Sequence, residues 1–160
     1  MKIVLPVHSC TDAKLIIDFV TNFHWPPYAC FRIIHVVEDH AGYKPTAEQK
    51  DADDKHRMSI ISYMRSRLTT LLPAALAEYK LLSGDPAQQI IQTATDWQAD
   101  MIVMGSRTGI HGDWTVTGSV SRAVVVDAPC SVVTIRPPAR TATANMAARS
   151  LDLLTTLHRN

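Results

Sequence analysis

The 160-residue sequence lacks several features that would fix a function class at once. Its three cysteines, Cys10, Cys30 and Cys130, are too few and too widely spaced for a disulfide framework or a Cys-x-x-Cys motif. The net charge of +1 gives no electrostatic reason to expect nucleic-acid binding. No apolar run approaches the roughly 18 residues of a membrane span, and no signal region opens the chain. We therefore expect a cytoplasmic protein with reduced thiols, and neither nucleic acid nor membrane as partner.

Metal and catalytic motifs are also scarce. The seven histidines form no pair at helical ligand spacing beside a carboxylate. The acidic cluster at 51–54 lacks the glycine and closing glutamate of a calcium loop, so we interpret it as a solvated helix start. His35 lies in an apolar run and is predicted to be a hydrogen-bonded core residue. No motif supplies a general base to the serines near the expected cleft, and a His8–Ser119 pair has no further support.

Short apolar runs alternate with amphipathic stretches along the chain. Strands are predicted over 3–7, 30–37, 79–82, 101–104 and 131–136. The first helix is predicted to begin from a cap at Thr11 or Asp12, the third at Asp85-Pro86, and the fourth to span 120–126. The apolar stripe predicted for the second helix consists of Met58, Ile61, Met64, Leu68, Leu71 and Leu72.

This alternation predicts an α/β fold, a doubly wound five-stranded parallel sheet with helices on both faces. Such sheets bind ligands beyond the carboxyl ends of the strands, at the point where the strand order reverses. The ends of the first and fourth strands, at Val7-His8 and Gly105, are therefore the expected site.

The stretch 101–121 is typical of a phosphate-binding connection. An apolar strand ends at Gly105, a loop with Gly109 and Gly112 follows, and Gly118-Ser119 opens a helix. Glycine allows close backbone approach, and free N–H groups at a helix start attract anions. Neither a Gly-x-x-x-x-Gly-Lys-Ser/Thr loop nor a Gly-x-Gly-x-x-Gly fingerprint is present. The alternative is that the stretch is only a connection.

Six ordered pieces of the sequence resemble the universal stress protein family over roughly residues 1–137. They are Ile3–Val7, Ile34–Val37, Gly84–Ala87, Asp100–Ser106, Gly118–Ser121, and Ala128–Cys130 with the strand after it. The resemblance implies the strand order 3-2-1-4-5 and a homodimer, paired through strand 131–136. Residues 138–160 would be a C-terminal tail, frayed or forming a short helix on its own domain or a partner contact.

The resemblance also implies an adenine-nucleotide site for ATP or AMP, with or without Mg²⁺ or Mn²⁺ held mainly by the phosphates. The first-strand end would line the adenosine, and Val36 would contact adenine through its backbone. The phosphate and ribose region would follow the fourth strand, where Arg107 could also reach phosphate. The full set of expected binding residues is Pro6, Val7, His8, Val36, Met104, Gly105, Arg107, Thr108, Gly118, Ser119, Val120 and Ser121.

Two positions depart from the nucleotide-binding pattern of the family. His8 stands where an aspartate is usual, and Thr108 stands at the middle glycine of the loop motif. A neutral imidazole can still accept one hydrogen bond, and Gly109 could take the turn instead of Thr108. A second hypothesis is therefore a family member without nucleotide, acting as a dimeric protein-interaction module. A third is an enzyme using ATP in this cleft, for which we expect at most slow ATP hydrolysis or autophosphorylation.

Overall fold

Strands and helices alternate in the computed structural model, which describes residues 1–38, 46–106 and 118–136. The predicted tail at 138–160 lies outside these residues. The strands are β1 (Lys2–Pro6), β2 (Cys30–Val37), β3 (Leu76–Ser83), β4 (Met101–Gly105) and β5 (Ser131–Ile135). The helices are α1 (Cys10–Asn22), α2 (Ala47–Leu71), α3 (Pro86–Trp97) and α4 (Ser119–Asp127).

The strands form one parallel sheet in the order β3-β2-β1-β4-β5. This confirms the predicted doubly wound α/β fold and its strand order. The order reverses between β1 and β4, because β1 leads outward to β2 and β3 while β4 leads outward to β5. The carboxyl ends of β1 and β4 therefore lie at the switch point of the sheet.

The start of α1 differs from the prediction of a cap at Thr11 or Asp12. Ser9 is the N-cap, with extended backbone at φ −134° and ψ 163°. Its hydroxyl accepts a hydrogen bond from Asp12 N at 3.2 Å, and Asp12 Oδ2 accepts one from Ser9 N at 3.1 Å. This reciprocal capping box needs the acid at the third helical position, so Asp12 completes the cap instead of forming it.

The buried face of α2 also differs from the predicted stripe. Ile60, Ile61, Met64 and Leu68 are buried, whereas Met58 is 56% exposed and Leu71 is 42% exposed. Met58 precedes Ile60 by two residues, which places it about 200° around the helix from that residue. The helix ends before Pro73, and the aspartates at 51–54 are exposed on its first turns, as predicted.

Strand β3 is longer than the predicted 79–82. It pairs with β2 from Leu76 to Ser83, and its residues are exposed or half-buried throughout. An edge strand with one partner carries charged residues such as Glu78 and Lys80, which hide its apolar pattern. By contrast, β2 has the predicted bounds, and α3 begins at Pro86 with Asp85 as its cap, also as predicted.

The core is divided into two layers by the sheet, because successive strand residues point to opposite faces. On the α1/α2 side the buried residues include Ile3, Leu5, Phe31, Ile33 and Met64. On the α3/α4 side they are Val4, Ile34, Ile90, Ala94, Ile102, Met104 and Val124. The sheet is covered on both faces, which holds the strand ends in a fixed arrangement.

The seam between β1 and β4 is shorter than the other ladders. Only Ile3 opposite Met101 and Val4 opposite Ile102 are paired there. The ladder between β1 and β2 continues to Pro6, and the ladder between β4 and β5 continues to Gly105. The two central strands therefore part before they end, which opens a cleft at the switch point.

Pro6 removes one hydrogen-bond donor at this opening. Backbone groups of alternate residues point to alternate neighbours, and Asp100 N donates to Lys2 O at 2.9 Å on the β4 side. Val7 N donates to Ile34 O at 2.9 Å on the β2 side. Pro6 has the parity of Lys2 and faces β4, but proline has no N–H to donate. The ladder with β4 lacks a donor at this position, so the strands can separate.

Candidate functional site at the ends of β1 and β4

A pocket of about 190 Å³ lies in the cleft between the carboxyl ends of β1 and β4. Ten of the twelve predicted binding residues line it, and Arg107 and Thr108 lie outside the described residues. The ten are Pro6, Val7, His8, Val36, Met104, Gly105, Gly118, Ser119, Val120 and Ser121. Sequence reasoning missed five further lining residues: Asp12, Ile34, Glu38, Pro86 and Ile90.

One side of the pocket is the amino-terminal end of α4. Gly118 is the N-cap, and no side chain of the described residues caps this helix start. The first backbone N–H groups of a helix have no partner within the helix and carry its positive dipole end. Ser121 is 2% exposed, and its hydroxyl donates to Gly118 O at 3.0 Å. The Ser121 hydroxyl therefore stabilises the first turn of α4. The backbone N–H groups of the first helical residues are the groups that can bind an anion.

A second side of the pocket is apolar. Ile34 and Val36 come from β2, Ile90 from α3 and Met104 from β4, and all four side chains are buried. They lie on the α3/α4 face of the sheet, where the cleft opens beside the core. A flat apolar ring can bury its surface against such a wall.

Carboxylates form a third part of the lining. Glu38 directly follows β2, and Asp12 lies on the first turn of α1. A Cβ atom added to Gly105 would stand 2.9 Å from Asp12 Oδ1, so the carboxylate is packed against the β4 terminus. The sequence offered one signal for Glu38, its position after a strand. Asp12 had only its potential as a helix cap, which does not show where its second oxygen points.

His8 and His35 form a stacked pair beside the pocket. Their ring centroids are 6.0 Å apart, and the rings are inclined by 12°. His35 is buried as predicted, and a hydrogen bond with the Val7 backbone satisfies it in part, whereas its Nδ1 has no hydrogen-bond partner among the described residues. Burial lowers the pKa of His35 below its usual 6.5, and the nearby His8 and Arg57 lower it further. A hydrogen bond with the Val7 backbone acts in the opposite direction.

The lowered pKa of His35 predicts acid sensitivity. Below pH 6.5 the unfolded chain binds a proton at this residue more readily than the folded chain does, so stability falls with the pH. The contribution of neutral His35 to the free energy of unfolding is fully present above pH 6.5. It is lost as the pH falls toward the pKa of His35 in the folded protein. We expect His35→Gln to lose less stability than the unaltered protein between pH 7.5 and 5.5 in urea denaturation. His24→Gln, at an exposed position, is the control and should keep the full dependence; equal slopes for both variants would contradict the assignment.

The remaining described residues add no metal or membrane feature. Within 1–38, 46–106 and 118–136, no three His, Cys, Asp or Glu side chains are grouped so that they could hold a metal ion. No helix in the same ranges combines the length and the apolar character needed to cross a bilayer.

An open parallel sheet, helices on both faces and a cleft at the strand-order reversal define a doubly wound α/β protein with a switch-point pocket. The model of the universal stress protein family matches residues 1–136. The chain belongs to this family, which confirms the resemblance seen in its motifs.

Two curated relatives share part of the chain. It is 37% identical over 83 residues to a universal stress protein of Thermus aquaticus encoded in the QAH/OAS sulfhydrylase 3′ region, covering 51% of this chain and 60% of that protein. It is 42% identical over 53 residues to a universal stress protein of Methanothermobacter thermautotrophicus, covering 33% of this chain and 36% of that one. The matches thus span less than two thirds of these relatives.

Solved structures share the fold over most of the chain. A universal stress protein from Lactobacillus plantarum has a TM-score of 0.67 at 24% identity, covering 85% of this chain and 97% of its own. An Arabidopsis thaliana family member with AMP bound has a TM-score of 0.61 at 16% identity, covering 87% and 93%. An Archaeoglobus fulgidus universal stress protein in complex with dAMP has a TM-score of 0.56 at 21% identity, covering 84% and 97%.

Proposed function

We propose that this protein binds an adenine nucleotide, AMP or ATP, in the switch-point pocket and acts as a cytoplasmic nucleotide-dependent regulatory protein. The observation that carries the proposal is the uncapped start of α4 at one side of a pocket whose opposite wall is apolar. A nucleotide has the matching polarity, with an anionic phosphate at one end and a flat base at the other. Family members with AMP or dAMP bound give independent support.

In this arrangement the phosphates are bound by backbone N–H groups of Ser119 and Val120, next to Gly118. The base lies toward the buried side chains at the end of β2, beside Val36. Any Mg²⁺ or Mn²⁺ enters with the phosphates and is held mainly by them. Residues 1–137 form the binding domain, and 138–160 are a separate tail.

Calorimetry with ATP, ADP and AMP, with and without Mg²⁺, tests the proposal. We expect micromolar binding, abolished in Gly118→Val because the new side chain would occupy the phosphate end. The Gly118 backbone, at φ −56° and ψ 151°, accepts any residue, so the variant should fold, as thermal melting would show. Thr70→Val, a valine substitution at an exposed position on α2 outside the pocket, is the matched control.

Lack of binding at millimolar nucleotide would support the second candidate function, a dimeric protein-interaction module. Strand β5 favours it, because this edge strand is paired on one side only and is half-exposed. Nearby on α4, Val125 is 52% and Val126 is 72% exposed. Homodimerisation through 131–136 belongs to both proposals, and sedimentation equilibrium on the same sample measures it.

A further inference from the structure

We propose that Asp12 is the carboxylate that accepts a hydrogen bond from a ribose hydroxyl of the bound nucleotide. This inference rests on the proposed function and assigns part of that pocket to a residue outside the sequence motifs. It is carried by the position of the two Asp12 oxygens.

One oxygen of Asp12 is fully engaged by the helix cap. Oδ2 accepts hydrogen bonds from Ser9 N at 3.1 Å and from Ser9 Oγ at 2.8 Å. The Ser9 hydroxyl oxygen in turn accepts from Asp12 N at 3.2 Å. These bonds fix the orientation of the carboxylate before any ligand arrives, which is what a precise binding group requires.

The other carboxylate oxygen of Asp12, Oδ1, is available to a ligand in the pocket. Oδ1 receives no hydrogen bond from the described part of the chain, and Asp12 is half-buried in the pocket lining. Oδ1 also lies against Gly105, where an added Cβ would stand only 2.9 Å away. A ligand hydroxyl that donates to this oxygen meets a carboxylate whose orientation is already fixed, so little binding free energy is lost to ordering it.

The chemistry of a carboxylate selects the group it can bind. An ionised carboxylate accepts hydrogen bonds and donates none, so it attracts hydroxyl or amine groups and repels phosphate. The sheet order places the β1 and β4 ends between β2, which carries the apolar wall, and the start of α4, which follows β4. In a nucleotide the ribose lies between base and phosphate, and its hydroxyls are the donors available at this middle position.

Calorimetry with AMP and with 2′,3′-dideoxyAMP, which lacks both ribose hydroxyls, tests this assignment. We expect the unaltered protein to bind AMP more tightly than the dideoxy nucleotide. Asp12→Ala should weaken AMP binding about tenfold, the scale of one hydrogen bond to a charged group. The same variant should leave dideoxyAMP binding unchanged, so the preference for AMP is lost.

Two variants control the experiment. Ser9→Ala removes the cap hydroxyl, so it accounts for the damage to the α1 start, and it should keep the preference for AMP because Ser9 N still donates to Asp12 Oδ2. Glu38→Gln neutralises the other carboxylate in the lining and should also keep it. Melting temperatures of all variants show that each is folded during the titrations.

The outcomes separate this inference from the function on which it rests. If the unaltered protein binds ATP but no AMP, the same comparison is made with ATP and 2′,3′-dideoxyATP; if it binds neither AMP nor ATP, both are overturned. If it binds AMP and Asp12→Ala keeps the full preference over dideoxyAMP, or Glu38→Gln alone loses it, nucleotide binding stands and the assignment to Asp12 is overturned.

Discussion

Phe31→Ala should lower the free energy of unfolding by about 3–5 kcal/mol, the cost of removing a large side chain from a packed core. Phe31 is fully buried on β2, where it is paired with Ile3 on one side and Ala77 on the other. The Trp25 ring meets it edge-on, with centroids 5.4 Å apart and planes at 89°. Truncation would therefore leave a cavity at a position that β1, β2 and β3 hold in place. Urea denaturation measures the loss.

Phe23→Ala is the matched control for this prediction. Phe23 is also an aromatic neighbour of Trp25, with centroids 4.7 Å apart, but it is 46% exposed. Its truncation removes less buried surface and should cost about 1 kcal/mol or less. Similar losses for the two variants would mean that the Phe31 environment is not the rigid core described above.

Arg32→Ala should lower the free energy of unfolding by about 2 kcal/mol, because three interactions are lost. Arg32 is 8% exposed on the α3/α4 face of β2, and its Nε donates to Glu78 Oε1 at 2.7 Å. Its guanidinium carbon lies 4.0 Å from the centroid of the Trp97 ring. The long side chain also fills space on the sheet. The ion pair alone is worth less than a buried one, since the Glu78 side chain is 48% exposed.

Arg32→Lys separates charge from shape, because lysine keeps the charge but cannot reproduce the planar contact with Trp97. We expect it to lose more than half as much stability as Arg32→Ala, and Glu78→Gln to lose less than about 1 kcal/mol. Arg32 lies three residues into β2, toward the amino ends of the strands and away from the pocket. Nucleotide affinity of the folded variants should therefore be unchanged. If Arg32→Ala were as stable as the unaltered protein, the contacts of Arg32 with Glu78 and Trp97 would not contribute to folding stability.

Elements buried on both faces could be predicted closely from sequence, because their apolar runs are continuous. Strand β2 has the predicted bounds for this reason, whereas the edge strand β3 was predicted too short. The cap of α1 was misplaced, since Thr11 and Asp12 are capping residue types as well as Ser9. Choosing among them requires knowing where the chain leaves β1.

The pocket also contains residues that could be predicted from sequence and residues that could not. Residues on the expected strand ends and helix start were predicted as a group, because parallel topology brings those positions together. Asp12 was missed because its place in the pocket lining arises from packing against Gly105, 93 positions later in the chain. Such a contact depends on the separation of β1 and β4, and no local pattern encodes it.

That separation has a thermodynamic consequence. In the described part of the chain, the ladder between the β3-β2-β1 half of the sheet and the β4-β5 half pairs only Ile3 with Met101 and Val4 with Ile102, beside the bond from Asp100 N to Lys2 O. Val36 belongs to the first half, and Gly118 lies in the connection between the two strands of the second. A ligand that contacts both halves of the sheet would join them beside Pro6, where a backbone hydrogen bond is missing. Backbone amides beside the β1–β4 seam would then exchange with solvent more slowly. By reciprocal linkage, a partner that prefers the tightened sheet would sense occupancy without any loop having to move.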